Sequence, residues 1–232
     1  MPADEQSREL YCKMFNSKNI PKIIEILKEE YKRFREPIVT QIANIKRDPF
    51  QVLISTIISL RTKDEVTREA SLRLFAVADD VRALVELPVS EIERLIYPAG
   101  FYKRKAINII EICETLIEKY DGRVPDEIDE LLKMKGVGRK TANLVVTLGY
   151  EKLGICVDTH VHRISNRFGF VKTKTPEKTE FTLRETLDKK YWIIYNDLLV
   201  SYGQNLCKPI SPLCSKCKIS KFCERVGVTI SR

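Results

Sequence analysis

The chain has 232 residues, 44% of them hydrophobic and 31% charged, enough for one large domain or two smaller ones with real cores. Its longest apolar stretch, "VLISTIISL", is shorter than the roughly 20 residues a membrane span needs, and "MPADEQSREL" lacks the pattern of a secretory signal, so the expectation is a cytoplasmic protein with reduced thiols. The net charge of +8 favours polyanionic partners, nucleic acid first, through phosphate neutralisation and counterion release.

The pattern is helical nearly throughout. Pro21 opens a segment with Ile23, Ile24, Leu27, Tyr31 and Phe34 at helical spacing. "DPF" at 48–50 reads as an N-cap followed by proline at the first helical position, ahead of Phe50, Leu53, Ile54, Ile57 and Ile58. Thr62 with Glu65, and Ser90 with Glu93, have capping-box spacing. "PAG" at 98–100 breaks the chain before a long amphipathic segment, 103–120, which ends in the turn "YDGRVP". A short helix over 126–133 leads through "MKGVGRKTAN" into another helix ending near Leu148. Asp158 precedes a run with Val161, Ile164, Ser165 and Phe168 on one face, closed by Gly169. Thr175 and Pro176 start a further helix, and 192–202 forms the last. No alternation argues for a sheet, so the fold class is all-α, with about ten helices.

The stretch 134–143 places two cations, Arg139 and Lys140, at a helix start, where the macrodipole disfavours positive charge. Gly136 and Gly138 can take positive φ at little cost and let a phosphate approach backbone N–H groups. An arriving phosphate would also relieve the placement of both cations. The nucleotide-binding loop G-x-x-x-x-G-K-[ST] is not met, because Arg139 stands where a glycine should precede Lys140 and position 134 is Met. A neutral lysine amine can attack electrophilic carbon and form a Schiff base, and a nearby aspartate could orient it or take its proton. Asp158, in "VDTH", is the candidate; it is equally suited to capping the helix that follows. His160 and His162 lie two apart and share no helix face, which argues against a histidine metal site or dyad.

Four of the seven cysteines crowd the C-terminus as Cys207-x6-Cys214-x2-Cys217-x5-Cys223. Four thiolates in a short, proline-containing loop indicate a metal centre, and both zinc and a [4Fe–4S] cluster accept four cysteines. Lys208, Lys216, Lys218 and Lys221 lie among them, as on a DNA-facing surface. Cys12, Cys113 and Cys156 are scattered, as small buried residues are.

From about Asp48 onward, "GFYKRKA", "GVGRKTAN", "VDTH" and the cysteine spacing together resemble the endonuclease III family of helix-hairpin-helix DNA glycosylases and abasic-site lyases, of archaeal or thermophilic type. The resemblance implies a six-helix barrel domain, 42–152, with the helix-hairpin-helix at about 127–148. It implies a second, discontinuous helical domain, 1–41 plus 153–232, carrying the loop 207–223. It implies removal of oxidised pyrimidines from damaged double-stranded DNA by a monomer, with Lys140 attacking C1′ of a flipped nucleotide, then Schiff-base formation and β-elimination. Asp158 matches the family's aspartate, and Cys207, Cys214, Cys217 and Cys223 match ligands of a [4Fe–4S] cluster. Phe101 matches an apolar wedge, and Gly136, Val137, Gly138, Arg139 and His160 fall on the DNA-binding side. Arg61 stands where the family commonly has a glutamine that fills the gap left by the flipped nucleotide, which leaves lesion and opposite-base preference open. The alternatives are a monofunctional mismatch glycosylase of the same superfamily, against which Lys140 counts, and a non-catalytic helix-hairpin-helix DNA-binding module, which would not need Lys140 with Asp158.

Overall fold

The computed structural model describes residues 19–232, which form α-helices, short helical turns and loops, with no β-strand among them. Cys12 lies outside the described residues. The described residues divide into two compact units: Pro37–Cys156, and residues 19–36 together with Val157–Arg232.

The first unit holds α2 (Ile38–Ile45), α3 (Pro49–Ser59), α4 (Asp64–Val77), α5 (Val81–Val85), α6 (Val89–Ile96), α7 (Tyr102–Tyr120), α8 (Ile128–Leu131) and α9 (Arg139–Leu144). The sequence boundary at 42 falls inside α2, all of which belongs to this unit. α3 is its axis and packs against α2, α4, α7 and α9. As the sequence pattern requires, Phe50, Leu53, Ile54, Ile57 and Ile58 are buried, and so are Val52, Ser55 and Thr56, leaving almost no exposed face. Its start follows local chemistry: Asp48 accepts from the backbone N–H groups of Phe50 (2.9 Å) and Gln51 (3.4 Å), and Pro49 occupies the first turn.

Neither expected capping box forms. The N-cap of α4 is Lys63 and that of α6 is Pro88, and no side chain caps either helix. The Thr62 hydroxyl is committed instead to Lys105 and to the backbone of Gly100, residues 43 and 38 positions away. The α6 helix begins at Val89, one residue before the Ser90 that was to cap it.

The second unit holds α1 (Ile20–Tyr31), α10 (Thr159–Phe168), α11 (Pro176–Thr186) and α12 (Trp192–Asn205). α12 packs against both α1 and α10, and α10 also packs against α11. Phe34 lies beyond the end of α1 and meets Tyr202 edge-on, with ring centroids 6.5 Å apart. Tyr195 of α12 is almost wholly buried and its hydroxyl shares a 3.0 Å hydrogen bond with Ser165 of α10. Asp158 and Thr175 cap α10 and α11 as their positions suggest, and Gly169 closes α10 in the left-handed region at φ 82°. No helix among the described residues is long and apolar enough to cross a membrane.

Candidate functional site

The hairpin that carries Lys140 is shorter and tighter than the period suggests. α8 spans only Ile128–Leu131, and α9 runs into a π-helical turn, Val145–Gly149. The two glycines of the connection do different things. Gly136 has φ +78°, and a Cβ there would lie 2.3 Å from Nδ2 of Asn108. Gly138 does not take positive φ. It is the N-cap of α9 at φ −98°, extended backbone open to any residue, and a Cβ there meets nothing within 4 Å. The Val137 N–H is used within the turn, donating to Met134 O (3.1 Å), and the Val137 side chain is buried. No side chain caps α9. The first N–H groups of a helix lack intrahelical partners, so this end offers donors to an anion.

Arg139 and Lys140 are the first two residues of α9 and both are half-buried. The helix beneath them is braced by Asn143, whose Nδ2 donates to Arg139 O (2.9 Å), and by Thr147, whose hydroxyl donates to Asn143 O (2.8 Å). The buried Cys156 thiol approaches Lys140 O at 3.7 Å. Cys113 is also buried, and burial pushes its thiol up to about 12.

Asp158 is half-buried at the start of α10. It is a cap, and both cap bonds end on one oxygen: Oδ1 accepts from the N–H groups of His160 (2.8 Å) and Val161 (2.9 Å). Oδ2 takes part in neither bond. His160 and His162 look to different partners, as two residues two apart on a helix must. His160 Nδ1 meets Arg163 Nη2 at 3.1 Å, and His162 Nδ1 meets the Thr179 hydroxyl at 2.7 Å.

Arg61 and Phe101, which the resemblance assigns to the DNA-facing side, stand together in the first unit. Both are exposed and both lie in the left-handed region, at φ 53° and 59°. The Arg61 guanidinium lies over the Phe101 ring, 5.5 Å from its centroid.

Cys207, Cys214, Cys217 and Cys223 all line one small pocket in the second unit, together with Arg167, Phe168, Tyr202, Leu206 and Leu213. None of them is in a disulfide. No acidic side chain lines the cavity. Two donors point at the sulfurs: the Tyr202 hydroxyl to Cys217 Sγ (3.2 Å), and Arg167 Nη1 to Cys207 Sγ (3.4 Å). Arg167 also donates to the carbonyls of Lys208 and Pro209, both at 2.6 Å, so α10 fixes the entry of the loop. Burial raises the thiols of Cys217 and Cys223, the latter to about 11. Among the described residues no three His, Cys, Asp or Glu side chains gather closely enough to hold a single ion.

Sequence reading passed over Arg167, Tyr202 and Lys105. For the first two no local signal exists, because they meet the cysteines only in the fold. Lys105 did carry one. It shares the stripe of Ile109, Ile112 and Leu116, at spacings of four, three and four, and that stripe is buried. A lysine on an apolar face calls for a partner.

Residues 54–189 match the HhH-GPD superfamily of base excision DNA repair proteins. The endonuclease III of Thermotoga maritima is 46% identical over 87% of this chain and 92% of its own length. Endonuclease III homolog 1, chloroplastic, of Arabidopsis thaliana is 42% identical over 75% of this chain, which spans only 48% of that longer relative. Among solved structures, a trapped covalent intermediate of endonuclease III with DNA superposes with a TM-score of 0.82 at 32% identity, covering 91% of this chain and 97% of that one. This chain belongs to the endonuclease III family, within the HhH-GPD superfamily of base excision DNA repair proteins.

Proposed function

We propose that the chain excises oxidised pyrimidines from duplex DNA and cleaves the abasic site it creates, with Lys140 as nucleophile and Asp158 as the assisting carboxylate. The observation that carries the reading is Lys140's place: a half-buried amine in the first turn of a helix whose N–H end no side chain closes. A DNA phosphate fits that end and fixes the backbone near the amine without reading sequence. The lesion must leave the base stack before an amine can reach its sugar.

In this scheme Lys140 Nζ forms a bond to C1′ as the bond to the damaged base breaks. Opening of the sugar ring gives an imine between Nζ and C1′. Loss of a C2′ proton expels the 3′ phosphate by β-elimination, and water then releases the lysine. Asp158 suits its part because Oδ1 alone carries the helix cap, which leaves Oδ2 for a proton or a cationic sugar. Arg61 and Phe101 are suited to the space a flipped nucleotide leaves, one polar and one apolar.

Cys207, Cys214, Cys217 and Cys223 fit a [4Fe–4S] cluster. They line one pocket rather than converging on a point, and the side chains aimed at their sulfurs, those of Tyr202 and Arg167, are donors. The cluster would brace the loop and its lysines; the excision steps need only Lys140, Asp158 and water.

Borohydride trapping on an oligonucleotide with one thymine glycol tests the nucleophile. Lys140→Gln should abolish the covalent adduct while DNA binding persists. Trapping and cleavage at the wild-type rate in that variant would show that another group is the nucleophile.

A further inference from the structure

A buried lysine outside the proposed chemistry holds the two DNA-facing segments together. Lys105 lies in the first turn of α7 and is 7% exposed. Its Nζ donates to Ile58 O (2.7 Å), Leu60 O (2.6 Å) and the Thr62 hydroxyl (2.9 Å). Three protons meet three oxygens, and no carboxylate is among the partners. Ile58 and Leu60 carry carbonyls at the C-terminal end of α3, where helix carbonyls lack intrahelical partners and a cation is favoured.

The Thr62 hydroxyl links this knot to the second segment. It accepts from Lys105 and from the Gly100 N–H (3.1 Å), and lies 3.3 Å from Leu60 O as donor. The two segments touch at the backbone, since a Cβ on Gly100 would fall 2.4 Å from Arg61 O. Arg61 sits between Leu60 and Thr62, and Phe101 directly follows Gly100. Both residues hold left-handed backbone that non-glycine residues avoid. Such conformations persist only where the surroundings over-determine them, and the bonds made by Lys105 and Thr62 fall on the residues either side of Arg61 and immediately before Phe101.

We propose that Lys105 is a positioning residue for lesion extrusion: by tying the Arg61 segment to the Phe101 segment it presents both side chains, stacked, to the duplex. The proposal rests on reading Arg61 and Phe101 as the residues that enter the vacated space. A lysine that merely caps α3 would matter equally for every substrate. A positioning lysine matters only where a base must be extruded from a duplex.

The test compares excision of thymine glycol from duplex DNA with borohydride trapping at an abasic site in a single strand, which has no partner base and no stack to open. Lys105→Met should lower duplex excision by up to about 10²-fold, as ångström-scale misplacement does, and leave single-strand trapping near wild type. Thr62→Val, which removes one link of the knot, should show the same split at smaller size and guards against a poorly folded Lys105→Met. In an Arg61→Ala/Phe101→Ala background, adding Lys105→Met should cost nothing more, because nothing is left to position. Equal losses on both substrates, or a full additional loss in that background, would reduce Lys105 to a stabilising cap. If Arg61→Ala/Phe101→Ala itself leaves duplex excision unchanged, the reading of those two residues fails and takes the proposal with it. That outcome is distinct, because it appears before Lys105 is altered.

Discussion

The two glycines of the hairpin look alike in sequence and differ in kind. Gly136 is required by geometry: at φ +78° an L-residue is strained, and its Cβ would collide with Asn108. Gly136→Ala should destabilise the protein by about 1–2 kcal/mol or more in chemical denaturation. Gly138 is extended and open. Serine caps helices somewhat better than glycine, so Gly138→Ser should leave stability unchanged or raise it by a few tenths of a kcal/mol. Its hydroxyl would occupy the N–H groups proposed for phosphate, so DNA affinity should fall for damaged and undamaged duplex alike. Unchanged affinity would place the phosphate elsewhere. Asp158 separates cap from chemistry in the same manner. Asparagine caps as well as aspartate, so Asp158→Asn should keep the melting temperature and lose most base excision, whereas full excision would leave Asp158 only a cap. Asp48, Asp158 and Thr175 were legible as caps because a cap bonds to its own next turn. The single role of Oδ1 in both Asp158 bonds was not, since it depends on the side-chain rotamer.

At the scale of elements, the helices with long apolar stripes were plain in the sequence, and the mutual arrangement of loops was not. The five-residue α5 is too short for a period to emerge. Thr62 with Glu65 satisfied a local rule, yet a lysine 43 residues on claimed the hydroxyl. The C-terminal end of α3 therefore depends on α7. Burial lowers the pKa of Lys105 from 10.5 to about 8, so between those values the unfolded chain binds more protons than the folded one. Stability contributed through this group must then rise with pH across that window. Tyrosines and thiols raised by burial act in the opposite direction, so the measurable quantity is a difference. Wild type minus Lys105→Met, in urea unfolding from pH 7.5 to 9.5, should show a positive slope. A flat difference would mean that the three oxygen acceptors fully offset the burial of the charge.

For the whole molecule, the charge of +8 belongs to a protein whose affinity for DNA is governed by salt. Arg139→Gln should make the slope of log affinity against log salt shallower by about 0.9; an unchanged slope would mean that Arg139 meets no phosphate. Purified protein should be yellow-brown with about four irons per chain. Cys207→Ser, Cys214→Ser, Cys217→Ser or Cys223→Ser should each lower iron and solubility, and Cys113→Ser and Cys156→Ser should leave iron unchanged. Stoichiometric zinc in anaerobically prepared protein would overturn the cluster assignment. The cysteine loop was legible because its ligands are neighbours in sequence, while Arg167 and Tyr202, which donate to it, come from α10 and α12.

The interrupted second unit also sets an order of events during synthesis. Pro37–Cys156 is contiguous, so a ribosome releases every residue of that unit, Lys140 included, before α10 is made. The unit begun by α1 must wait for α12, its packing partner, and the four cysteines emerge later still. A nascent chain therefore holds a finished hairpin while its earlier helix remains unpaired. On the proposed cluster assignment, the metal's ligands are the last part of the fold to be made.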